Sequence, residues 1–433
     1  MVRRTKVLFR VVLAVTLLVC PLYSAIGQSI DALGSYSPYS MFGVGRIAYE
    51  GTAYNHSMGG IGIGMRDNRV INFINPAAIT ARDTLSFMFD LGINEKNSYF
   101  NDNITKSAYN IFNVQNVAFT FPIYKSSAFI VGIAPFSDVG YKFQSTETAT
   151  DVEADMGDVK YQQYGTGSIY QLFLGASVMF FDRISLGAQG IYYFGYMNKH
   201  NDLLFNSSSS YNTVYTGWNY KVHSLSGKFG LQYIQPFKKN NSQLVIGGTY
   251  RLGTSMKGET SRYAYTDIDT VLNSNISSGT LRIADEFGVG ISYRVNGKWA
   301  VGADFIQQNW RTDMFPDAVT WTNFGAGVSR QYKAGFELTP NMYDIRYYMK
   351  RVTYRAGAYF EQSYVRVDGR QVNAFGITFG ASFPFYRWYN AVSVAVDIGQ
   401  RGSLRQGQIR ENYINFILNI NLHDIWFVKY RYD

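Results

Sequence analysis

The chain is almost without cysteine. Its one thiol, Cys20, lies near the N-terminus, so no internal disulfide can form. The preceding Leu17-Leu18-Val19 lacks the small residues expected before a lipidated cysteine. Histidine is nearly as scarce. His56, His200, His223 and His423 fit no metal spacing, and there is no HExxH, CxxC or GxSxG. The reading is therefore no metal, no cofactor and no catalytic set. His200 and Asp202, with His223 on the next strand, are the only faint candidates for an acid–base set. No apolar run reaches the roughly 18–20 residues a transmembrane helix needs. No basic stripe stands out either. Of the formal charge of +9, the cations Arg3, Arg4, Lys6 and Arg10 lie within residues 1–27, where there are no acids, leaving about +5 (9 − 4). That excludes nucleic acid as the expected partner.

Aromatic residues, by contrast, are abundant: 35 Tyr and 31 Phe in 433 residues, with 17% aromatics overall. They suit strands and the aromatic girdles of membrane barrels. They also fall into an alternating pattern. Near the C-terminus, Ile414, Phe416, Leu418, Ile420 and Leu422 occupy one parity. Tyr413, Asn415, Asn419 and Asn421 occupy the other, with Ile417 as the aliphatic exception. A period of two is a strand whose two faces meet different surroundings.

Fourteen such stretches can be read: 84–94, 112–122, 127–142, 168–181, 183–197, 220–236, 242–256, 278–294, 298–309, 321–336, 350–361, 370–384, 389–401 and 411–422. The connections after the second, fourth, sixth, eighth and twelfth are short, and Asn296-Gly297 is a hairpin signal. Those after the odd-numbered strands are mostly long and polar, as in 143–167, 198–219 and 257–277. Short turns alternating with long loops is the outer-membrane pattern; the connection 337–349 is too long for it. A β-sandwich also alternates, but does not usually need so many long strands or so regular a loop asymmetry. The fold expected is all-β, a transmembrane antiparallel β-barrel of about 14 strands over 84–422, in the outer membrane of a Gram-negative bacterium.

Residues 1–27 read as a signal peptide: a basic start, the apolar core Val11 to Val19, and Ala25-Ile26-Gly27 before the expected cut. Residues 28–83 do not alternate. They are rich in Gly, Ser, Asn and Pro, as in Met58-Gly59-Gly60 and Asn75-Pro76-Ala77. A disordered arm is one reading. A plug inside the barrel is the other, favoured by Phe42, Val44, Ile61, Ile63, Ile71, Phe73 and Ile74, which need burial. Gly60, Gly62 and Gly64 form GxGxG without the strand and helix a nucleotide site requires. Residues 423–433 are expected to form a periplasmic tail, serving as an interfacial girdle or as a handle for a partner.

By strand parity, Asp90, Lys228, Arg251, Glu286, Arg294, Asp304, Arg355 and Asp397 point inward, since charges on the lipid face cost several kcal/mol near the midplane. The favoured expectation is that they pair across the lumen and tie the plug to the wall. The functional alternative is that Arg355 or Lys228 holds the carboxylate of a bound amphiphile.

A Gly-rich segment ending in Asn75-Pro76-Ala77 and followed by fourteen strands resembles the FadL family. Ser37-Pro38-Tyr39-Ser40, Phe42-Gly43, Met58-Gly59-Gly60 and the stretch from Glu411-Asn412-Tyr413 to Trp426-Phe427 look like its Bacteroidota branch. The resemblance implies an N-terminal hatch over 28–83 and diffusion of fatty acids or aromatic hydrocarbons. It also implies a kink in the third strand that opens the wall sideways. Pro135 falls where that kink is expected, because proline cannot complete a ladder; a rim bulge is the plainer explanation. The expected function is thus a non-enzymatic channel for hydrophobic or amphipathic small molecules, with membrane lipid and such a ligand as its partners. The alternative is a non-transporting barrel subunit of an outer-membrane secretion or assembly complex, with other outer-membrane proteins as partners.

Overall fold

The computed structural model describes residues 35–82, 86–124, 126–147, 159–205, 211–238, 241–277, 281–295, 297–315, 324–385 and 389–425. The expectations for 1–27, for Cys20 and for Trp426 onward lie outside these residues.

Fourteen antiparallel strands close into a ring. They are β1 Ser86–Asn101, β2 Lys106–Tyr124, β3 Ser127–Glu147, β4 Val159–Phe180, β5 Ile184–Phe205, β6 Val214–Phe237 and β7 Ser242–Arg251. Then come β8 Glu286–Val295, β9 Trp299–Gln308, β10 Ser329–Leu338, β11 Thr353–Val367, β12 Arg370–Pro384, β13 Ala391–Arg401 and β14 Arg410–Ile425. Each pairs with its neighbours in sequence, and β14 closes on β1 from Ser86↔Ile425 to Asn101↔Arg410. That pairing leaves no free edge at the first and last strands.

The period of two sorts side chains as expected. On β12, Phe375, Ile377 and Phe379 are exposed, whereas Gly376, Thr378 and Ser382 are buried. Exposed apolar residues recur on the outward face of strand after strand, among them Leu174, Leu231, Ile291, Phe336 and Leu418. Such a belt is stable only in hydrocarbon. Phe237, Tyr293 and Trp299 cluster at the short-connection ends of β6, β8 and β9, where an interfacial girdle belongs. Ile417, the exception on β14, faces inward and packs on Ala53 and Ala395.

Every predicted strand has a counterpart, but the ends differ. Of the stretches 143–167 and 198–219, expected as loops, residues 143–147, 159–167, 198–205 and 214–219 are strand, because β3 to β6 run on past the apolar belt. Both faces of these extensions lie beyond the belt, so hydrophobic contrast fades while the main-chain ladder continues. The predicted strand 242–256 stops at Arg251. Residues 257–277 are not a loop but a hairpin, Lys257–Thr266 and Thr270–Ser277, whose first strand pairs with Val214 to His223 of β6. Strand 278–294 begins only at Glu286, and β14 continues to Ile425 rather than Leu422. The long connection at 339–352 lies on the short-turn rim and contains a 3₁₀ turn, Tyr348–Lys350. It adds no strand.

Candidate functional site

Residues 35–82 are bonded to strands on every side of the ring. Ser37 Oγ donates to Glu411 of β14 at 2.7 Å. Lys199 Nζ of β5 donates to Met41 O at 2.7 Å. The Ala53 amide donates to Asn419 of β14 at 2.8 Å, and the Gly59 amide to Thr378 of β12 at 2.8 Å. Asp304 Oδ2 of β9 accepts from the Gly62 and Ile63 amides at 2.6 and 2.8 Å. The GxGxG stretch therefore turns its amides to a wall carboxylate. Phe42, Val44, Ile61, Ile63, Ile71, Phe73 and Ile74 are all buried.

Gly59 shows why glycine stands in this segment. Its φ is +71°, and a Cβ there would lie 2.7 Å from the carbonyl oxygens of Ala334 and Ala358. The wall answers with Gly357, whose added Cβ would lie 2.2 Å from the Gly59 nitrogen.

Asn75 caps the 3₁₀ helix Pro76–Ala81 by accepting from the Ala77 amide. Its amide group donates to Ile63 O at 2.8 Å and to Leu231 O of β6 at 3.3 Å. Ala77 O accepts from Ser185 Oγ of β5 at 2.7 Å. Asn75, Pro76 and Ala77 thus join the inner segment to β5 and β6.

All eight inward-pointing charges are buried, and all have partners. Glu50 bridges Lys228 Nζ at 2.6 Å and Arg251 Nη1 at 2.8 Å; Arg251 Nη2 reaches Glu286 at 2.6 Å. Arg294 meets Asp67 at 3.0 Å and Glu337 at 2.8 Å, and Arg355 Nε meets Glu337 at 2.8 Å. Asp90 accepts from Asn116 and Asn419. Asp397 accepts from Tyr359 and Asn415 at 2.8 and 2.9 Å. Pairing is what a low-dielectric lumen demands of buried charge.

Sequence reasoning missed four charged members of this network. Glu50 and Asp67 carry no strand parity. Glu337 fell in a predicted connection but sits on β10, and Lys96 fell beyond the predicted end of β1, where it meets Glu411 at 2.7 Å. Lys228 and Arg355 already hold carboxylates of this chain, so neither is available to a ligand headgroup in this conformation.

The ladder between β2 and β3 is the exception in the wall. It runs from Tyr124↔Ser127 to Val117↔Ile133. Beyond that point β2 pairs with β1 down to Lys106, and β3 pairs with β4 up to Glu147. Among the described residues no β2–β3 pairing continues there. Both strands bulge at the split. Gln115 is the extra residue in β2. Phe136, next to Pro135, is the extra residue in β3. Pro135 thus marks a bulge and a split together.

The inner segment takes the place of β2 on the edge of β3. Arg46–Ile47 pairs with Asp138 and Ser137, and the Ala48 amide donates to Phe136 O at 2.9 Å. A cavity of about 50 Å³ lies at the split, lined in part by Ile111, Val114, Gln115, Pro135, Arg46 and Lys96. Four of its lining atoms, Ser35 Oγ, Arg46 Nε, Asn94 Oδ1 and Asn415 Oδ1, are buried without a hydrogen-bond partner. Orphaned polar atoms around one void mark a place for water or a polar group.

The faint acid–base set is not assembled. The ladder puts His223 opposite Phe194 and Asp202 opposite Tyr215, so they stand eight residues apart along β5 (202 − 194). His200 stacks on Tyr164 at 4.3 Å and bonds to Tyr263.

Solved structures with this fold include toluene transporters and a monoaromatic hydrocarbon channel. The toluene transporter TbuX of Ralstonia pickettii is 15% identical, with a TM-score of 0.56 over 86% of this chain and 98% of its own. The toluene transporter TodX of Pseudomonas putida is 14% identical, with a TM-score of 0.56 over 87% and 98%. A FadL homologue of Pseudomonas aeruginosa is 11% identical, with a TM-score of 0.51 over 88% and 99%. At such identities the likeness is one of fold. No curated protein matches the chain. One family model matches residues 6–433, nearly the whole sequence, and by that match the chain belongs to the BamG family.

Proposed function

We propose that this protein is a channel of the outer membrane for hydrophobic or amphipathic small molecules, of the fatty acid or aromatic hydrocarbon class, moving by diffusion. Residues 35–82 serve as its hatch, in line with the FadL-like Bacteroidota pattern of the sequence. The observation that carries this reading is the β2–β3 split. A closed barrel gains nothing from giving up a ladder in its own wall, whereas a channel whose cargo leaves into the bilayer needs such a break. Pro135 and the two bulges hold the strands apart, and Arg46–Ile47 covers the edge of β3. Exit then requires that short strand to move. Deleting the gene should cut uptake of a hydrophobic tracer such as toluene or oleate, and restoring the chain should recover it. Unchanged uptake in both strains would refute the proposal.

A second reading, a non-transporting subunit of an outer-membrane secretion or assembly complex, is favoured by the packing of the lumen. The cavity at the split is about 50 Å³, whereas a cavity of about 150 Å³ is what accepts benzene. Lys228 and Arg355 are occupied by the chain's own acids. Native mass spectrometry of a gentle membrane extract separates the two. Bound amphiphile on a lone barrel supports the channel; stoichiometric protein partners without ligand support the subunit.

A further inference from the structure

The short-turn rim carries one connection that does not fit it, residues 339–352 between β10 and β11. It is braced rather than loose. The Asn341 amide donates to Lys350 O at 2.8 Å. Asp344 Oδ1 accepts from the amides of Arg346 and Tyr347 at 2.9 and 2.7 Å, and Lys350 Nζ stands 3.5 Å from Oδ2. The Tyr347 amide, then the Arg346 amide and the Lys350 ammonium, hold the Asp344 carboxyl below its ordinary range. Tyr348 Oη donates to Pro384 O at 3.0 Å, and Tyr354 Oη to Met349 O at 3.2 Å. The loop is thereby pinned to β12 and β11.

Its direction matters. Leu338 and Tyr354 end the lipid-facing belt on β10 and β11. Between them the chain turns toward the mouth of the ring, where Met342 Sδ comes within 3.7 Å of Arg69 Nη1. Met342, Arg69, Pro384 and Tyr389 line a cavity of about 30 Å³ there.

What the loop shows to solvent is apolar and basic. Ile345 is 96% exposed, and Tyr343 and Met349 are exposed by more than half. The Arg346 guanidinium and the Lys350 ammonium stand 5.1 and 4.7 Å from the Tyr347 ring. Asp344 is the only acid in 339–352, and it is turned into the loop. Exposed apolar side chains on a braced loop mark an interaction surface, and an aromatic–Arg centre is the usual composition of one. The uncompensated charge is positive, so the covering surface is acidic.

We propose that this loop is a docking surface for a partner protein on the periplasmic side, specifically an acidic segment with an apolar recess that receives Ile345. The proposal is independent of whether the lumen conducts.

The test uses the full-length protein in native outer membranes, with Ile345→Cys carrying a benzophenone label. Tyr332→Cys, on the lipid-facing wall, is the control. Ile345 is almost fully exposed, so the substitution leaves the barrel intact, which heat-modifiable gel mobility verifies. Irradiation is expected to join position 345 to another protein at a peptide rich in Asp and Glu, identified by mass spectrometry. The yield should fall roughly fivefold or more in about 1 M salt, where screening shortens to about 3 Å, and likewise in Arg346→Glu/Lys350→Glu. Labelling of lipid, of a second copy of this chain, or of nothing above the wall control would overturn the proposal. So would a cross-link that ignores both salt and charge reversal.

Discussion

Replacing Glu50 by glutamine removes one charge and almost no volume. In the native arrangement Glu50 accepts from Lys228 at 2.6 Å and from Arg251 at 2.8 Å. Without its charge, two cations with side chains only 3% and 2% exposed share one carboxylate, Glu286. Glu286 lies 2.6 Å from Arg251 but 3.9 Å from Lys228. Stranding one partner of a buried ion pair costs about 3–5 kcal/mol. Because the Glu50 side chain keeps 17% exposure, the lower end applies, about 3 kcal/mol. At 1.4 kcal/mol per factor of ten, states in which residues 46–56 leave the wall become roughly 100-fold more populated. Hydrogen exchange of the purified barrel measures this directly, with the Ala48 amide, bonded to Phe136 O at 2.9 Å, as reporter. Lys228→Met in the Glu50→Gln background removes the stranded cation and should restore most of the protection. Exchange within about threefold of wild type in the single variant would refute the assignment of Glu50 as a latch on the inner segment. Failure of the second substitution to restore protection would show that the effect is not electrostatic.

Three further outcomes are expected. Ile47→Cys with Ser137→Cys joins ladder partners, whose Cα separation of about 4.5–5.5 Å suits a disulfide; if exit requires Arg46–Ile47 to move, tracer uptake should stop when oxidised and return with reductant. Gly357→Ala places a Cβ about 2.2 Å from the Gly59 nitrogen. An overpacking cost of about 1–3 kcal/mol should make residues 35–82 protease-sensitive while the ring stays heat-modifiable. Ile377→Arg puts a cation on the outward face of β12, half exposed to the hydrocarbon belt. A cost of about 2–4 kcal/mol should lower the assembled fraction on gels, whereas Gln371→Arg, near the end of the same strand, should not.

Much of the ring was legible because hydrocarbon is a demanding solvent. Where a strand crosses the belt, every second side chain must be apolar, so Phe375, Ile377 and Phe379 could be placed from parity alone. Past the belt that constraint ends. For that reason 143–167 and 198–219 looked like loops although the described strand ends within them keep pairing, and the hairpin at 257–277 could not be seen at all. Parity also put Asp90, Asp304, Arg355 and the other five charges on the buried side. It could not name their partners, since Glu50 and Asp67 belong to a segment without period, and Glu337 sat past a misplaced strand end.

The sequence by itself determined the barrel, its strand number, the two faces of each strand and the need of the Gly-rich segment for burial, because each follows from local periodicity or local composition. Only the tertiary structure decided which carboxylate meets which cation and that the GxGxG amides turn to Asp304. It alone decided that Pro135 stands beside a split rather than a simple bulge. Those features depend on residues hundreds of positions apart meeting inside a closed ring, and no spacing within one strand records such a meeting.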